Sequence, residues 1–326
     1  MNDKSRYIKI TDLPETLPGD VDYFITSASY ENRCLLVANE VNNLHPKNVI
    51  VCCNMNHHWY NGKNLEYLKI LFGDSFSLLE LNSKLPSQNN DTLLVKIISI
   101  AESNPEHIVI DITTFTHETL LILFRLLYTL LPVRTKVSFI YLEASDYSWN
   151  IDNIEEKWLS KGIGEIRSII GYPGIFNPSR NTHLIILVGF ESDRTIKLIE
   201  RYDSTIVSLG LGIKSTPNPN NQSIMDIARK KHELLVNQFP HVKVFNFCLE
   251  TPFDTKESIA KQIALYPDTN IVIAAMNNKI STIGAGMLAI NNFEIQLCYV
   301  MAYQYNTEYY SKPSADCCIF DLVRSV

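Results

Sequence analysis

Short apolar runs alternate with longer amphipathic stretches along almost the whole chain. The runs are continuous and rich in Val and Ile, which is typical of parallel strands buried on both faces. The stretches between them have the period of amphipathic helices. The predicted strands cover residues 23–26, 48–53, 107–112, 136–142, 183–188, 205–210, 242–247, 270–275 and 294–300. The predicted helices cover residues 31–44, 62–72, 90–103, 117–131, 194–202, 223–239, 255–266 and 280–291.

The second half of the sequence repeats the first. In both halves an apolar run leads to an aromatic–Glu pair and then an Arg, at Glu31 and Arg33 and at Glu191 and Arg194. Segments 108–117 and 137–144 likewise resemble segments 271–280 and 295–302, and Tyr147 and Tyr305 follow the later pair at the same spacing. The repeated βαβα order predicts an α/β protein with two tandem Rossmann-like parallel-sheet units related by internal duplication.

A cluster of Gly, Pro and Asn at residues 171–180 predicts the boundary between the two halves. We therefore expect a first unit at 1–170, a linker at 171–182 and a second unit at 183–326. Segment 152–170 has no evident counterpart in the second half, and we interpret it as a connecting arm or an insertion.

Composition narrows the function classes. The chain has 326 residues, 46% of them apolar, and a formal net charge of -6, so two globular cores are expected and bulk nucleic-acid binding is not. The most apolar run, residues 119–131, is interrupted by Arg125 and is too short to span a bilayer, so no membrane partner is expected. Seven cysteines with two adjacent pairs and no CxxC spacing favour a reducing, cytoplasmic location.

Several catalytic and cofactor motifs are absent from the sequence. It contains no GxGxxG, GxxxxGK[ST], HExxH or GxSxG pattern. We therefore expect no cofactor and no metal. His57 and His58 precede Trp59 and Tyr60 after a strand, and we interpret them as part of a stacking or surface loop in preference to a metal site. Cys52, Cys53, Cys317 and Cys318 are expected in the core.

The candidate site lies where polar residues follow the predicted strands. In open parallel sheets the ligand crevice lies beyond the carboxyl ends of the strands, where loops and helix N-termini converge. Hydroxyls, amides and a few cations there suit a phosphate or a base edge. The candidate ligand-binding residues are Ser29, Glu31, Arg33, Asp111, Thr113, Thr114 and Thr116 in the first half and Glu191, Arg194, Asn277, Asn278, Lys279 and Tyr305 in the second. Ser27, His117, the Gly210-Leu211-Gly212 turn and Ser281 occupy neighbouring places.

Each of these features also has a structural interpretation. Ser29 and the three threonines can cap the following helices, and the repeated Glu/Arg sets can be ordinary first-turn charges. Asp111 ends an apolar run and must be hydrogen-bonded, which favours a functional or loop-organising role. Lys279 begins a helix and needs an anion, either a bound phosphate or Glu191. If the protein is an enzyme, Asp111, Glu31 and Glu191 are the candidate acid or base groups.

A family resemblance adds a functional expectation. Residues 110–117, Ile-Asp-Ile-Thr-Thr-Phe-Thr-His, resemble the Asp-x-Thr-Gly-Gly-Thr-Lys turn of CRISPR-associated Rossmann-fold (CARF) domains and their tandem SAVED relatives. Asp111, Thr113 and Thr116 match this turn. Thr114 and Phe115 replace the two glycines, and His117 replaces the lysine, while Lys279 supplies a cation near that place in the second half.

The resemblance implies a sensor of cyclic or linear oligonucleotide messengers in prokaryotic antiviral defence. The duplicated halves would act as the two subunits of a dimer, with the ligand across their pseudo-two-fold axis. Because no effector signature follows, a separate effector protein is the expected partner. Two alternatives remain open: an enzyme that cleaves or modifies the nucleotide, holding the ribose 2′-hydroxyl in line with the phosphate, and a scaffold for a partner protein.

Overall fold

The computed structural model describes residues 5–17, 19–153, 156–204, 206–214, 222–239 and 241–324, with only the backbone of residues 57–60 and 222–227. It consists of two compact units. Unit 1 comprises residues 1–145 and 311–326, and unit 2 comprises residues 146–310. Of the predicted positions, Thr205 lies outside the described residues, as do the side chains of His57, His58, Trp59 and Tyr60.

The elements alternate between strand and helix, as the apolar pattern predicts. The first part of the chain forms β1 (Arg6–Lys9), α1 (Leu13–Thr16), β2 (Tyr23–Ala28), α2 (Arg33–Asn42), β3 (Asn48–Asn54), α3 (His58–Phe72), β4 (Phe76–Leu81), α4 (Pro86–Glu102), β5 (His107–Asp111), α5 (His117–Leu130) and β6 (Lys136–Tyr147). The rest forms β7 (Ser160–Pro173), β8 (Thr182–Leu187), α6 (Ser192–Tyr202), β9 (Ile206–Ile213), α7 (Gln222–Gln238), β10 (Lys243–Cys248), α8 (Pro252–Ala264), β11 (Asn270–Ala275), α9 (Lys279–Ala289), β12 (Ile295–Tyr305) and β13 (Ser311–Asp321).

The sheet of unit 1 has the strand order β1-β13-β6-β5-β2-β3-β4. The five strands from β6 to β4 are parallel. The central strands β2 and β5 are almost wholly buried, because helices cover both faces of the sheet. Helix α2 packs with α3, and α4 packs with α5. Each pair of helices therefore forms one layer of a three-layer α/β unit.

Unit 2 repeats this plan. Its strand order is β10-β9-β8-β11-β12-β7, and the five strands from β10 to β12 are parallel. Helix α6 packs with α7 and α8 packs with α9. The prediction of an α/β protein with two Rossmann-like parallel-sheet units is confirmed.

The two units exchange one strand each. Strand β7 follows β6 in the chain but pairs antiparallel with β12 of unit 2. Strand β13 follows β12 but lies beside β6 of unit 1. Leu322 N donates to Val137 O, and Ser145 Oγ donates to Pro313 O, so β13 runs antiparallel to β6. We call β7 and β13 the exchanged strands.

The exchange corrects the expected domain boundaries. Segment 152–170 is no insertion, since it contains most of β7, and its counterpart in the second half is β13. Residues 174–181 of the expected linker form a short connection between β7 and β8 inside unit 2. The expected boundaries were wrong because Gly and Pro mark local turns, whereas strand exchange depends on pairing between residues far apart in the chain.

Other local differences have simple causes. Residues 58–60 belong to α3 and not to a loop, and Gly62, which seemed to begin that helix, is inside it. Gly210 and Gly212 lie within β9 and form no turn. Side chains at these two positions would collide with Phe245 and Leu249, so the glycines leave room for packing. Cys52, Cys53, Cys317 and Cys318 are fully buried and take part in no disulfide bond, as expected of core residues.

Candidate functional site

The strand order reverses once in each sheet, between β2 and β5 in unit 1 and between β8 and β11 in unit 2. Such a reversal opens a crevice beyond the carboxyl ends of the two strands. Eleven of the thirteen predicted ligand-binding residues lie in the loops or first helical turns after these four strands: Ser29, Glu31, Arg33, Thr113, Thr114, Thr116, Glu191, Arg194, Asn277, Asn278 and Lys279. The other two end strands: Asp111 is the last residue of β5, and Tyr305 is the last residue of β12.

Asp111 is the last residue of β5 and is completely buried. Its Oδ1 accepts a hydrogen bond from Thr113 N at 3.0 Å, and its Oδ2 accepts one from Thr26 Oγ1 at 3.1 Å. Burial raises the pKa of the Asp111 carboxyl to about 6, against the opposing effect of these hydrogen bonds and of Arg33. Asp111 therefore ties the end of β5 to β2 and to its own loop, which is the loop-organising role.

Glu31 and Arg33 form a buried ion pair. Arg33 donates from Nε and Nη2 to Glu31 Oε2, at 2.9 and 2.6 Å, and only 5% and 8% of the two side chains are exposed. Arg33 Nη1 also donates to Leu142 O in β6 at 3.1 Å. The pair is therefore not a set of exposed first-turn charges, and its guanidinium is already neutralised.

The hydroxyl groups of the unit 1 crevice have distinct roles. Only Thr116 caps α5, since its Oγ1 accepts from Thr119 N. Thr113 Oγ1 accepts from Leu142 N, which joins the loop to β6. Thr114 Oγ1 donates to Ser27 O at 2.8 Å across the switch point. Thr114 and Thr116 are half-buried, whereas Thr113 is buried, so the first two are the hydroxyls open to a ligand.

Ser29 organises the turn after β2. Its Oγ accepts from Glu31 N at 3.3 Å, and Asn64 Nδ2 in α3 donates to its carbonyl oxygen at 2.7 Å. Helix α2 begins at Arg33 after Asn32, so Ser29 is not its N-cap. The capping interpretation of Ser29 was wrong for this reason.

Glu191 follows β8 in unit 2, and its carboxylate accepts two hydrogen bonds and faces a cation. Its Oε1 accepts from Leu159 N at 2.6 Å and from Ser160 N at 3.4 Å. Its Oε2 lies 3.7 Å from Lys231 Nζ, which donates to Lys157 O and lies over the Phe190 ring. The cation beside Glu191 is thus a lysine of α7.

Arg194 does not reproduce the contacts of Arg33. It is the third residue of α6, whereas Arg33 is the first residue of α2. Its buried Nε has no hydrogen-bond partner within the part of the chain that the structure describes. The two repeated arginines are therefore not equivalent in space, which agrees with their one-residue offset in the sequence.

The loop after β11 closes tightly on β8. Asn277 Nδ2 donates to Val188 O at 2.5 Å, and its Oδ1 accepts from Asn278 N. Asn278 caps α9 by accepting from Ser281 N at 2.8 Å. A Cβ on Gly189 would lie 2.1 Å from Met276 O, so the two backbones touch at the switch point.

The first helical residue after each central strand is a potential cation. His117 begins α5 and Lys279 begins α9, each directly after its N-cap. Both side chains are half-buried. The loop that separates strand from helix is two residues shorter in unit 2, since Thr116 is five residues beyond Asp111 and Asn278 three beyond Ala275.

A tyrosine-rich segment, residues 303–310, starts at the end of β12, the last parallel strand of unit 2. Tyr305 is the last residue of β12 and pairs with Ser160 of β7. The Tyr309 ring contacts the Trp149 ring, and the Tyr310 ring contacts the Tyr147 ring edge-on. Tyr303 is 81% exposed. The Tyr309 and Tyr310 rings therefore pack on neighbouring rings, whereas Tyr303 is exposed and Tyr305 is half-buried.

Sequence reasoning missed the partners that come from distant segments. Thr26, Asn64, Leu159, Ser160, Lys231 and Ser311 all contact predicted site residues. No local pattern singles them out, because each reaches the site through strand or helix packing. The buried polar residue Thr26 inside an apolar strand was the one usable signal.

The described residues contain no group of three or more His, Cys, Asp or Glu side chains that could hold a metal ion. Within the same ranges, no helix is long and apolar enough to cross a membrane.

No known protein family model matches this chain, and no curated protein sequence matches it either. Among solved structures, the pyocyanin biosynthetic protein PhzM matches 40% of this chain with 13% identity and a TM-score of 0.26; the match spans 35% of PhzM. A UDP-GlcNAc 2-epimerase from Neisseria meningitidis matches 78% of this chain, and 76% of its own, with 10% identity and a TM-score of 0.25. The phosphoethanolamine N-methyltransferase 1 of Haemonchus contortus matches 82% of this chain and 71% of its own, with 6% identity and a TM-score of 0.26.

Such low similarities carry no argument about function. The class rests on strand order and helix placement: this is an α/β protein of two Rossmann-like units, each with polar side chains at its switch point.

Proposed function

We propose that the protein is a nucleotide-sensing regulatory subunit of a prokaryotic antiviral defence system, acting in the cytoplasm on a separate effector protein. The ligand is a cyclic or linear oligonucleotide, as the resemblance of residues 110–117 to CARF and SAVED domains implies. One observation carries the proposal. Both units present hydroxyl or amide side chains and a helix N-terminus at the switch point of a Rossmann-like sheet, where such folds bind nucleotides.

The accessible groups define how the ligand is held. Thr114, Thr116 and His117 in unit 1 and Asn278 and Lys279 in unit 2 are half-buried at the start of α5 and α9. A phosphate at a helix N-terminus accepts backbone N–H groups and is favoured by the helix dipole. Ser29, Glu31, Arg33, Asp111 and Thr113 are buried and act behind them by fixing the loops.

The contacts favour binding over catalysis. The three carboxylates considered as acid or base groups, Glu31, Asp111 and Glu191, all accept internal hydrogen bonds from the protein. A general base must reach the proton that it removes. Asp111 is completely buried and Glu31 nearly so, which removes them from direct contact with a ligand in this conformation.

A thermal-shift screen tests the proposal. Mononucleotides, NAD and a panel of cyclic oligonucleotides are added to the wild type and to Lys279→Ala. A ligand present at 100 times its Kd stabilises the native state by about 2.7 kcal/mol, so a cyclic oligonucleotide should raise Tm by several degrees. We expect the shift to shrink or disappear in Lys279→Ala.

The matched control is Lys261→Ala, which removes an exposed lysine of α8 that pairs with Glu257. Its ligand-induced shift should equal that of the wild type. If no compound in the panel raises the Tm of the wild type, the sensing proposal is contradicted and the scaffold alternative is favoured. Conversion of a bound oligonucleotide to a product would favour the enzyme.

A further inference from the structure

The two repeated glutamates make the same kind of contact in both units. Glu31 Oε2 accepts from Ser311 Oγ at 2.6 Å, and Ser311 is the first residue of the exchanged strand β13. Glu191 Oε1 accepts from Leu159 N at 2.6 Å and from Ser160 N at 3.4 Å, where the exchanged strand β7 begins. In each unit, therefore, the glutamate after the first parallel strand fastens the start of the exchanged strand.

The surroundings of Glu31 and Glu191 strengthen these hydrogen bonds. Each glutamate also faces a cation, Arg33 at 2.6 Å and Lys231 at 3.7 Å, which orients its carboxylate. Hydrogen bonds to an ionised acceptor are roughly twice as strong as neutral ones. Only 8% of the Glu31 side chain and 11% of the Glu191 side chain are exposed, so water competes little for them.

A line of contacts joins the two fastening points. Ser311 is bonded to Tyr310, whose carbonyl oxygen accepts from Ser148 N at 3.1 Å. The Tyr310 ring meets the edge of the Tyr147 ring, with centroids 6.4 Å apart, and Tyr147 contacts Phe190 at 5.9 Å. Phe190 directly precedes Glu191. Apart from the peptide bond between Tyr310 and Ser311, every step lies within one unit.

We propose that Glu31 and Glu191 are latches on the exchanged strands, and that this line couples them so that opening one latch loosens the other. The latches are part of the loops that shape the two crevices, so a ligand that reorders one loop alters the second crevice. Coupling of this kind is reciprocal in free energy. The inference adds regulation to the proposed function and needs no ligand to be tested.

The test measures amide hydrogen exchange at single residues in the full chain, without nucleotide. Ser311→Ala removes the hydroxyl whose hydrogen bond to Glu31 Oε2 forms the Glu31 latch. The reporters are the Leu159 and Ser160 amides, because these donate to Glu191 in the other unit. Loss of a hydrogen bond to a charged group corresponds to about tenfold in an equilibrium. We expect exchange at Leu159 to rise up to about tenfold, with Ile273 in the core of β11 unchanged.

Two controls separate coupling from general loosening. Ser314→Ala removes a hydroxyl of β13 that accepts from Asp316 N of the same strand, and it should leave Leu159 unaffected. Adding Tyr147→Leu to Ser311→Ala cuts the line: β13 should still exchange faster, while Ser311→Ala should no longer change exchange at Leu159. The reciprocal variant Glu191→Gln should speed exchange at Lys312, and it tests the coupling even if Ser311→Ala does not fold.

Unchanged exchange at Leu159 and Ser160 in Ser311→Ala would overturn the coupling. An equal rise at Ile273 would do the same, since it would show general destabilisation. Either result would leave the nucleotide-binding proposal standing, because no nucleotide takes part in the experiment. A failed ligand screen would likewise leave the latches intact.

Discussion

Buried charges distinguish the unit 1 crevice at the scale of single residues. Asp111 is ionisable and completely buried, and its hydrogen-bond partners are the backbone of Thr113 and the hydroxyl of Thr26. Glu31 and Arg33 are buried as a pair. An isolated buried carboxylate lowers stability by its desolvation, whereas a paired one depends on its partner. The two arrangements therefore predict different responses to pH and to substitution.

Asp111→Asn should change the pH dependence of stability. The pKa of the Asp111 carboxyl is about 6 in the folded protein against 3.8 for the unperturbed group, so the native state binds a proton first as pH falls from about 6 to about 4. This carboxyl thus stabilises the fold below pH 4 relative to pH 7. Asn keeps the acceptor for Thr113 N and can donate to Thr26. The free energy of unfolding of the variant minus that of the wild type should be larger at pH 7 than at pH 4.5, by roughly 1–3 kcal/mol.

Urea unfolding of both proteins at the two pH values measures this difference. The contribution of other carboxyls, such as Asp22 with its lowered pKa, cancels in the comparison. A stability difference that does not vary with pH would contradict the raised pKa.

Glu31→Gln should destabilise the protein because it leaves Arg33 buried without its anion. Removing one member of a buried pair costs about 3–5 kcal/mol. The double variant Glu31→Gln with Arg33→Met should recover part of that loss, because it removes the cation as well as the anion of the pair. Chemical denaturation of the three variants measures the effect. Glu257→Gln, in the exposed pair with Lys261, should change little, and an equal loss there would speak against burial as the cause.

At the scale of elements, the loops at the switch points show how the duplicated halves have diverged. The loop after β11 is shorter than the loop after β5, and its backbone approaches Gly189 closely. A glycine is needed there because no Cβ fits beside Met276 O. Unit 1 instead bridges the same gap with Thr114 and Ser27. The two crevices therefore have the same topology and different walls.

Gly189→Ala should lower stability by roughly 3 kcal/mol, the upper part of the range for overpacked sites. Its Cβ would lie 2.1 Å from a backbone oxygen that cannot move aside as a flexible side chain can. Gly19→Ala is the matched control, since nothing lies within 4 Å of the added Cβ. Thermal unfolding of both variants measures the difference. Equal Tm values would show that the two backbones separate easily.

Strand exchange dominates at the scale of the whole molecule. Neither half of the sequence contains all the strands of one sheet, because β13 completes unit 1 and β7 completes unit 2. Cys317 and Ile319 of β13 belong to the core cluster that includes Phe24 and Val37. Each unit therefore depends on a segment that is distant in the sequence.

A chain that ends at Tyr310 should lose the stability of unit 1, although the deleted segment follows unit 2 in the sequence. Without β13, strand β6 has an open edge and β1 has no partner. Hydrogen-exchange protection should fall in β5 and β6 and persist in β8 and β11. Deleting residues 1–9 removes the edge strand β1 and is the control. Full protection of β6 in the shortened chain would contradict the exchange.

The sequence by itself determined the layers and the positions of the candidate residues relative to the strands. Continuous apolar runs and helical periodicity predicted nine strands and eight helices that are all present, because burial between two helix layers leaves this pattern in each segment separately. The rule that ligands bind at carboxyl ends placed the candidate residues in the two crevices. Strand β4 was missed because Phe76 to Leu81 is partly polar, as edge strands often are.

Only the tertiary structure decided which strands share a sheet and which side chains meet. The exchanged strands pair with strands from the other half of the chain, and nothing in the local sequence of β7 or β13 identifies those partners. For the same reason the contacts of Glu31 with Ser311 and of Glu191 with Leu159 could not be predicted. Periodicity reports how a segment is buried, whereas pairing depends on which distant edges the completed fold brings together.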